Sequence, residues 1–210
     1  MNIILDFRFS HLIIMRLETL NQFQIILASQ SPRREKLLLE MGLQFTVHPS
    51  EIDEEIPAGI PLEKLAEHFA RCKAEDIAQH YIRNAIVIGS DTTVLLENEL
   101  LEKPQTRAEA FDMLRKLSGK THKVISAVCV IHKDKTLVYS DTAKVSFDEL
   151  REEEIDYYIE KYAPFDKAGS YGIQEWIGYV GINRIEGSFY TVMGLPTHLL
   201  WSVLKQITRV

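Results

Sequence analysis

A mixed, twisted α/β sheet with flanking helices is the architecture that this 210-residue sequence specifies. Two patterns carry that expectation. Short apolar runs rich in β-branched residues alternate with longer stretches of helical periodicity, as at residues 24–28 followed by 32–41. Other strand-like runs are separated only by short polar segments, Glu97-Asn98-Glu99 and Lys133-Asp134-Lys135, too short for a crossover helix, so part of the sheet pairs antiparallel. With 46% hydrophobic and 26% charged residues, the chain has the material for one core, and no internal repeat or low-complexity linker interrupts it.

In order, Gln24-Ile25-Ile26-Leu27-Ala28 reads as a short buried strand, and Ser31-Pro32 supplies the N-cap and first-turn proline of a helix that Gly42 stops. A short strand at residues 45–48 precedes an acidic stretch at 51–55. Pro61 then opens a long amphipathic helix to about Tyr81, with Leu62, Leu65, Ala66, Phe69 and Ile77 as its apolar stripe. Residues 85–89 are a continuous apolar run, expected as a central strand ending in Gly89-Ser90-Asp91. Thr106 and Glu109 form a capping box for a helix through Leu117, closed by Gly119. Residues 123–132 and 136–147 are the arms of a hairpin, and 152–162 are helical. A glycine-punctuated loop at 166–172, a strand at 179–185 and a closing helix from His198 complete the chain.

A net charge of −6 argues against a partner that is a nucleic-acid polymer, which demands clustered Lys and Arg. Cys72 and Cys129 fit no metal or redox spacing and are expected as reduced thiols of a cytoplasmic protein. No membrane span is expected, because the apolar stretches of residues 1–23 are broken by Asp6, Arg8, Ser10, His11 and Arg16; a secretory signal is not convincing there either. Met15 offers a second start, which makes residues 1–14 an upstream extension on this reading. Residues 1–23 are thus set apart from a single domain over 24–207.

Gly119-Lys120-Thr121 imitates the end of a phosphate-binding P-loop, but Leu114 stands where that loop needs glycine and Gly119 closes a helix instead of opening one. The seven histidines form no HxH or HExxH pair, so a carboxylate-held Mg²⁺ or Mn²⁺ is the remaining metal reading. Ser29, Ser31, Arg33 and Arg34 gather at a helix N-terminus. Two cations there oppose the helix dipole unless an anion joins them; a solvated face is the alternative. Lys73, four residues after Phe69 and four before Ile77, falls on the core-facing stripe, either snorkelling to an edge or pointing at a phosphate. Asp91 sits where an apolar strand is expected to run out, the place where open α/β sheets bind ligands, or else it forms a turn. Thr92 offers a hydroxyl, Lys103 a point charge stiffened by Pro104, and Asp166-Lys167 a polar pair in a loop followed by the amide of Gln174.

Leu27-Ala28-Ser29-Gln30-Ser31-Pro32-Arg33-Arg34, Gly89-Ser90-Asp91-Thr92, Leu101-Glu102-Lys103-Pro104, Leu117-Ser118-Gly119, Asp166-Lys167-Ala168-Gly169-Ser170-Tyr171-Gly172-Ile173-Gln174 and Gly194-Leu195-Pro196, in that order, resemble the Maf family of nucleotide pyrophosphatases. The resemblance spans residues 24–207. It implies two lobes around a nucleotide cleft, a fold related to the inosine triphosphate pyrophosphatases, and hydrolysis of nucleoside triphosphates to monophosphate and pyrophosphate. It makes Asp91 the proton acceptor and Ser29, Arg33, Lys73, Lys103 and Asp166 polar site residues; Arg34 and Lys167 stand beside them as expected substrate contacts. Arg33, Thr92 and Gln174 match positions that select the base, and the ending Tyr171-Gly172-Ile173-Gln174 is similar to the branch acting on dTTP and UTP. Mg²⁺ or Mn²⁺ is expected on Glu54, Asp91 and Asp166. The alternatives are modified nucleotides as substrates, or a non-catalytic nucleotide-binding regulator of septum formation. A homodimer is expected by base rate alone, and a housecleaning role by the resemblance alone.

Overall fold

The computed structural model describes residues 17–81 and 84–208; the candidate start at Met15 and the residues before it lie outside these. β1 (Ile25–Ala28) is wholly buried and lies between two parallel neighbours, β2 (Thr46–Val47) and the first part of β3 (Ile86–Leu96). α1 (Pro32–Glu40) follows β1. Its Ser31 side chain does not cap it, and the Ser31 N–H instead donates to Ser29 Oγ at 3.2 Å. A 3₁₀ turn at Leu62–Lys64 leads into α2 (Leu65–Ala78), whose Ala66, Ala70 and Ala74 are fully buried. These small residues let the helix lie close on the sheet.

The expectation that the third strand ends at Asp91 is corrected. Thr92-Thr93-Val94-Leu95-Leu96 prolongs the β-branched, buried run, so β3 continues to Leu96 and Asp91 is a mid-strand residue. Glu97, at φ 56°, turns the chain into β4 (Glu99–Leu100), which pairs back on β3. Thr106 caps α3 (Arg107–Leu117) by accepting from the Glu109 N–H at 3.2 Å. The reciprocal half of the box is displaced by one residue, since the Glu109 carboxylate accepts from the Gln105 N–H at 2.8 Å. β5 (Thr121–His132) and β6 (Lys135–Phe147) form the long hairpin, and α4 (Glu152–Tyr162) has the bounds expected. Residues 179 and 180 belong to a short helix, α5 (Trp176–Val180), rather than to the following strand, β7 (Ile182–Glu186). α6 (Phe189–Met193) and α7 (Thr197–Thr208) close the chain.

The sheet order is β2-β1-β3-β5-β6-β7, with β4 also paired to β3; β1 pairs parallel with its neighbours and the remaining pairs are antiparallel. One of its two apolar faces divides at mid-strand. On one face, one end of β3 and β5 is covered by α1 and α7 through Leu37, Leu38, Leu200, Val203 and Leu204, whereas the alanines of α2 pack along the other face from Val87 to Leu95. The opposite end packs against α3, α4 and α5 through Leu114, Tyr158 and Ile177. Two lobes result, joined by the long strands. Leu20 is 1% exposed in the first cluster, and Asn21 bridges to the Gly42 carbonyl and the Gln44 N–H, so the globular unit already includes residues ahead of Gln24.

Candidate active site

The two edges of β3 are unlike. One pairs with β5 from Ile86 to Leu95. On the other, β1 stops at Ala28 opposite Gly89, and β4 first pairs at Leu95 opposite Leu100. Residues 90–93 therefore have no strand neighbour on that edge, and a cleft of about 850 Å³ opens there between the lobes. Every residue expected from the sequence to meet substrate, base or metal lines it: Ser29, Arg33, Arg34, Glu54, Lys73, Asp91, Thr92, Lys103, Asp166, Lys167 and Gln174.

Asp91 is two residues beyond Gly89 and so faces α2, from which Lys73 reaches over. The Lys73 ammonium donates to Asp91 Oδ1 at 2.6 Å and lies 2.6 Å from Glu54 Oε1. Lys73 is thus a buried cation between two carboxylates, not a snorkelling one. Lys103 lies 3.9 Å from the other Glu54 oxygen. Burial raises the Glu54 pKa, but the hydrogen bond and charge of Lys73, then Lys103 and Arg34, outweigh it and hold the carboxyl below its ordinary value.

A second charged group spans the cleft from α1 to the second lobe. Arg33 Nη1 donates to Asp166 Oδ2 at 2.8 Å, and the buried Lys167 ammonium lies 2.7 Å from Asp166 Oδ1 and 3.2 Å from Glu175 Oε1. Burial again raises the Asp166 pKa, and Lys167 and Arg33 together take it below the usual aspartate value. Arg34 is turned into the protein: its Nε donates to the Gly194 carbonyl at 2.8 Å, Nη1 to Ser29 Oγ at 3.1 Å and Nη2 to Thr92 Oγ1 at 3.2 Å. The Thr92 hydroxyl also contacts Ser126 Oγ at 2.8 Å. Arg34 and Thr92 thereby tie α1, β3, β5 and the turn at Gly194 together. Burial lowers the Arg34 pKa, against the raising effect of Asp91.

Gln174 Nε2 faces Glu175 Oε1 at 3.5 Å, while its own Oε1 is buried with no hydrogen-bond partner. Glu175, Tyr158 and Ser126 are members of this constellation that sequence reasoning missed. A charged residue directly after Gln174, in an otherwise apolar and glycine-rich run, was the one available signal.

Among the described residues, no group of three or more His, Cys, Asp or Glu has an arrangement that could hold a metal by itself. Glu54 and Asp91 converge on one nitrogen, while Asp166 is engaged by Arg33 and Lys167. Two carboxylates are within the number that Mg²⁺ typically takes from a protein, the rest of its shell coming from other oxygens. The P-loop imitation is a helix end: Gly119, at φ 68°, closes α3, and Thr121 begins β5.

An unpaired strand edge carrying a buried carboxylate, walled by Arg33, Lys73, Lys103 and Lys167, defines an α/β protein shaped to take a polyanionic ligand next to an acidic group. The chain belongs to the Maf family: a family model described as Maf-like protein matches residues 24–207. It is 48% identical over 192 residues to the dTTP/UTP pyrophosphatase of Porphyromonas gingivalis strain W83, covering 90% of this chain and 96% of that one. With the dTTP/UTP pyrophosphatase of Bacteroides thetaiotaomicron it shares 43% identity over 192 residues, covering 91% of this chain and all of that one. Among solved structures, the Staphylococcus aureus Ham1 protein aligns at a TM-score of 0.42 and 17% identity, over 59% of this chain and 71% of its own. No helix among the described residues is long and apolar enough to cross a membrane.

Proposed function

We propose that this protein hydrolyses nucleoside triphosphates, dTTP and UTP above others, to the monophosphate and pyrophosphate. The observation that carries the reading is Asp91: a carboxylate on the unpaired edge of β3, at the bottom of a cleft whose walls supply cations for a triphosphate. Relatives named for that activity share 42–48% identity with the chain. In the reaction, water attacks the α-phosphorus, Asp91 accepts its proton, and pyrophosphate leaves. Lys73 holds Asp91 Oδ1 and so fixes the carboxylate's orientation. Lys103, Arg33 and Lys167 offset charge on the phosphates. Arg34 and Ser29 shape the start of α1, and Gln174 meets the base. Arg33 and Thr92 set base selection with it, Thr92 through its bonds to Arg34 and Ser126.

A divalent cation, Mg²⁺ or Mn²⁺, held by Glu54 and Asp91 together with the triphosphate, would neutralise charge on the leaving pyrophosphate. Asp166 joins that set only by giving up Arg33 and Lys167. The setting proposed is the cytoplasm, and the proposed assembly is a homodimer, which light scattering would size. Incubation with Mg²⁺ and each of dTTP, UTP, CTP, GTP, ATP and 7-methyl-GTP should give monophosphate and pyrophosphate fastest from dTTP and UTP. Asp91→Asn should lower turnover by roughly 10²–10⁴-fold, the range for loss of a general base. Near-normal turnover in that variant removes Asp91 from the role. Absence of turnover with either metal leaves a nucleotide-binding regulator as the better reading.

A further inference from the structure

We propose that Glu175 is a positioning residue for base recognition: its carboxylate holds the Gln174 amide in one orientation, making that amide select thymine and uracil over cytosine. The inference rests on the functional reading above, in which Gln174 meets the base.

Glu175 is the N-cap residue of α5, and its side chain is 17% exposed. Donors from separate parts of the second lobe fix it. Oε2 accepts from the Tyr158 hydroxyl of α4, and Oε1 faces Lys167 Nζ at 3.2 Å and Gln174 Nε2 at 3.5 Å. Tyr158 is itself fully buried, and its hydroxyl oxygen accepts from the Gly172 N–H at 2.9 Å. Burial, reinforced by Glu175, pushes the Tyr158 pKa well above its ordinary value, so it remains a donor. Gly172 completes the arrangement from below. A Cβ there would stand 2.8 Å from Gln174 Nε2 and 2.8 Å from Glu175 Cδ, so a larger residue would push the ends of these two side chains from their present places.

An ionised carboxylate only accepts hydrogen bonds. The face of the Gln174 amide turned to Glu175 must then be its NH₂, and a flipped amide would set a carbonyl oxygen against a carboxylate. One amide hydrogen is taken by Glu175. The edge that remains consists of the second hydrogen and Oε1, an acceptor shielded from solvent and given no donor by the protein, which a base meets only by displacing what covers it. An acceptor beside a donor complements the N3–H and O4 of thymine and uracil. Cytosine presents the reverse, an acceptor at N3 and a donor at N4, and meets this edge only after the flip that Glu175 opposes.

The test is the ratio of kcat/KM for dTTP to that for dCTP, measured in the wild type, Glu175→Gln, Gln174→Ala and the double variant. Glu175→Gln keeps the shape but can face either side of the neighbouring amide, so the ratio should fall about twofold to tenfold, the worth of one ordinary hydrogen bond. Any change in phosphate binding from a released Lys167 acts on both triphosphates alike and cancels in the ratio. In the Gln174→Ala background, Glu175→Gln should add nothing, because a residue acting through Gln174 has nothing left to orient. If Glu175→Gln melts below the assay temperature, Tyr158→Phe takes its place, removing one anchor of the carboxylate, and should shift the ratio in the same direction by less. A selective wild type whose ratio survives these substitutions overturns the inference. So does a further fall in the double variant. A wild type that turns over both nucleotides equally overturns the base reading, and the inference with it.

Discussion

One methyl group at Gly89 tests whether the approach of α2 to the sheet sets the catalytic geometry. A Cβ at this position would lie 2.2 Å from the Ala70 carbonyl oxygen, 2.8 Å from the Ala74 nitrogen and 2.9 Å from the Ala74 Cβ. The nearest atoms are helix backbone, which no side-chain rotation can move aside. To restore ordinary van der Waals separation, α2 has to retreat by about 1 Å. Overpacking of this kind costs about 1–3 kcal/mol. Alanine's better fit to an extended strand returns only about 0.5–1 kcal/mol, so the net sign is destabilising. The mid-range net, about 1.3 kcal/mol, corresponds in a chain of this size to a fall in Tm of roughly 3–5 °C. The retreat also moves Lys73, the residue before Ala74, away from the Asp91 oxygen it holds at 2.6 Å. A misplacement of about 1 Å can lower a rate about 10²-fold. Thermal melting gives Tm, and kcat for dTTP, taken where Gly89→Ala is fully folded, gives the second effect. A variant with unchanged Tm and kcat would refute the link from helix approach to site geometry.

Lys73→Met leaves Asp91 and Glu54 facing each other without their shared cation. Because the Lys73 and Asp91 side chains are only 10% and 12% exposed, a loss of about 3 kcal/mol is expected in urea titration, and a loss under about 1 kcal/mol would argue against a buried pair. Burial brings the His122 pKa down to about 4. Below the ordinary histidine value of about 6.5, the unfolded chain takes up a proton that the folded one refuses, so stability should fall by roughly 3 kcal/mol as pH drops from about 6.5 to about 4. Glu54 and Asp166, both held below their ordinary values, lose their contributions only at pH values lower than about 4.5. His122→Gln should flatten the upper part of this profile, and an unchanged slope would rule the histidine out. Cys129 is buried, with its thiol pushed up to about 12, whereas Cys72 is partly exposed. A thiol reagent should therefore label only Cys72 in the native protein, and rapid labelling of both would contradict the packing.

Local pattern was sufficient wherever local forces decide. The hairpin arms, the helix from Glu152 to Tyr162 and the stop at Gly119 follow from periodicity and turn chemistry, and their bounds lie close to those expected. Lys73 was legible because helical spacing alone puts it on the inner stripe. Asp91 came to the right place by an incomplete argument. Gly89-Ser90-Asp91-Thr92 has the composition of a turn, yet the pairing of β3 with β5 overrides it; what ends at this point is the neighbouring β1. Which strand stops is a property of two distant segments, and no window on either contains it. The same holds for the pairs Arg33 with Asp166 and Tyr158 with Glu175, each made across a sequence separation that carries no periodic signal. Residues 179 and 180 were misread because a short apolar segment suits either a strand or one turn of helix, and here the segment packs on α4 through Tyr157 and Trp176.

The lobes on either side of the cleft share β3, β5 and β6 as unbroken strands, so the joint between them is a ladder of backbone hydrogen bonds rather than a flexible linker. Such a joint behaves as a leaf spring. Any change in the angle between the jaws must be absorbed as extra twist or coil over many residues, each giving a little, and is opposed by all of them at once. Asp91 lies on β3, one of the strands common to both lobes. Any such change must also stretch or carry along the Arg33–Asp166 pair, which links the first lobe to the second across the cleft.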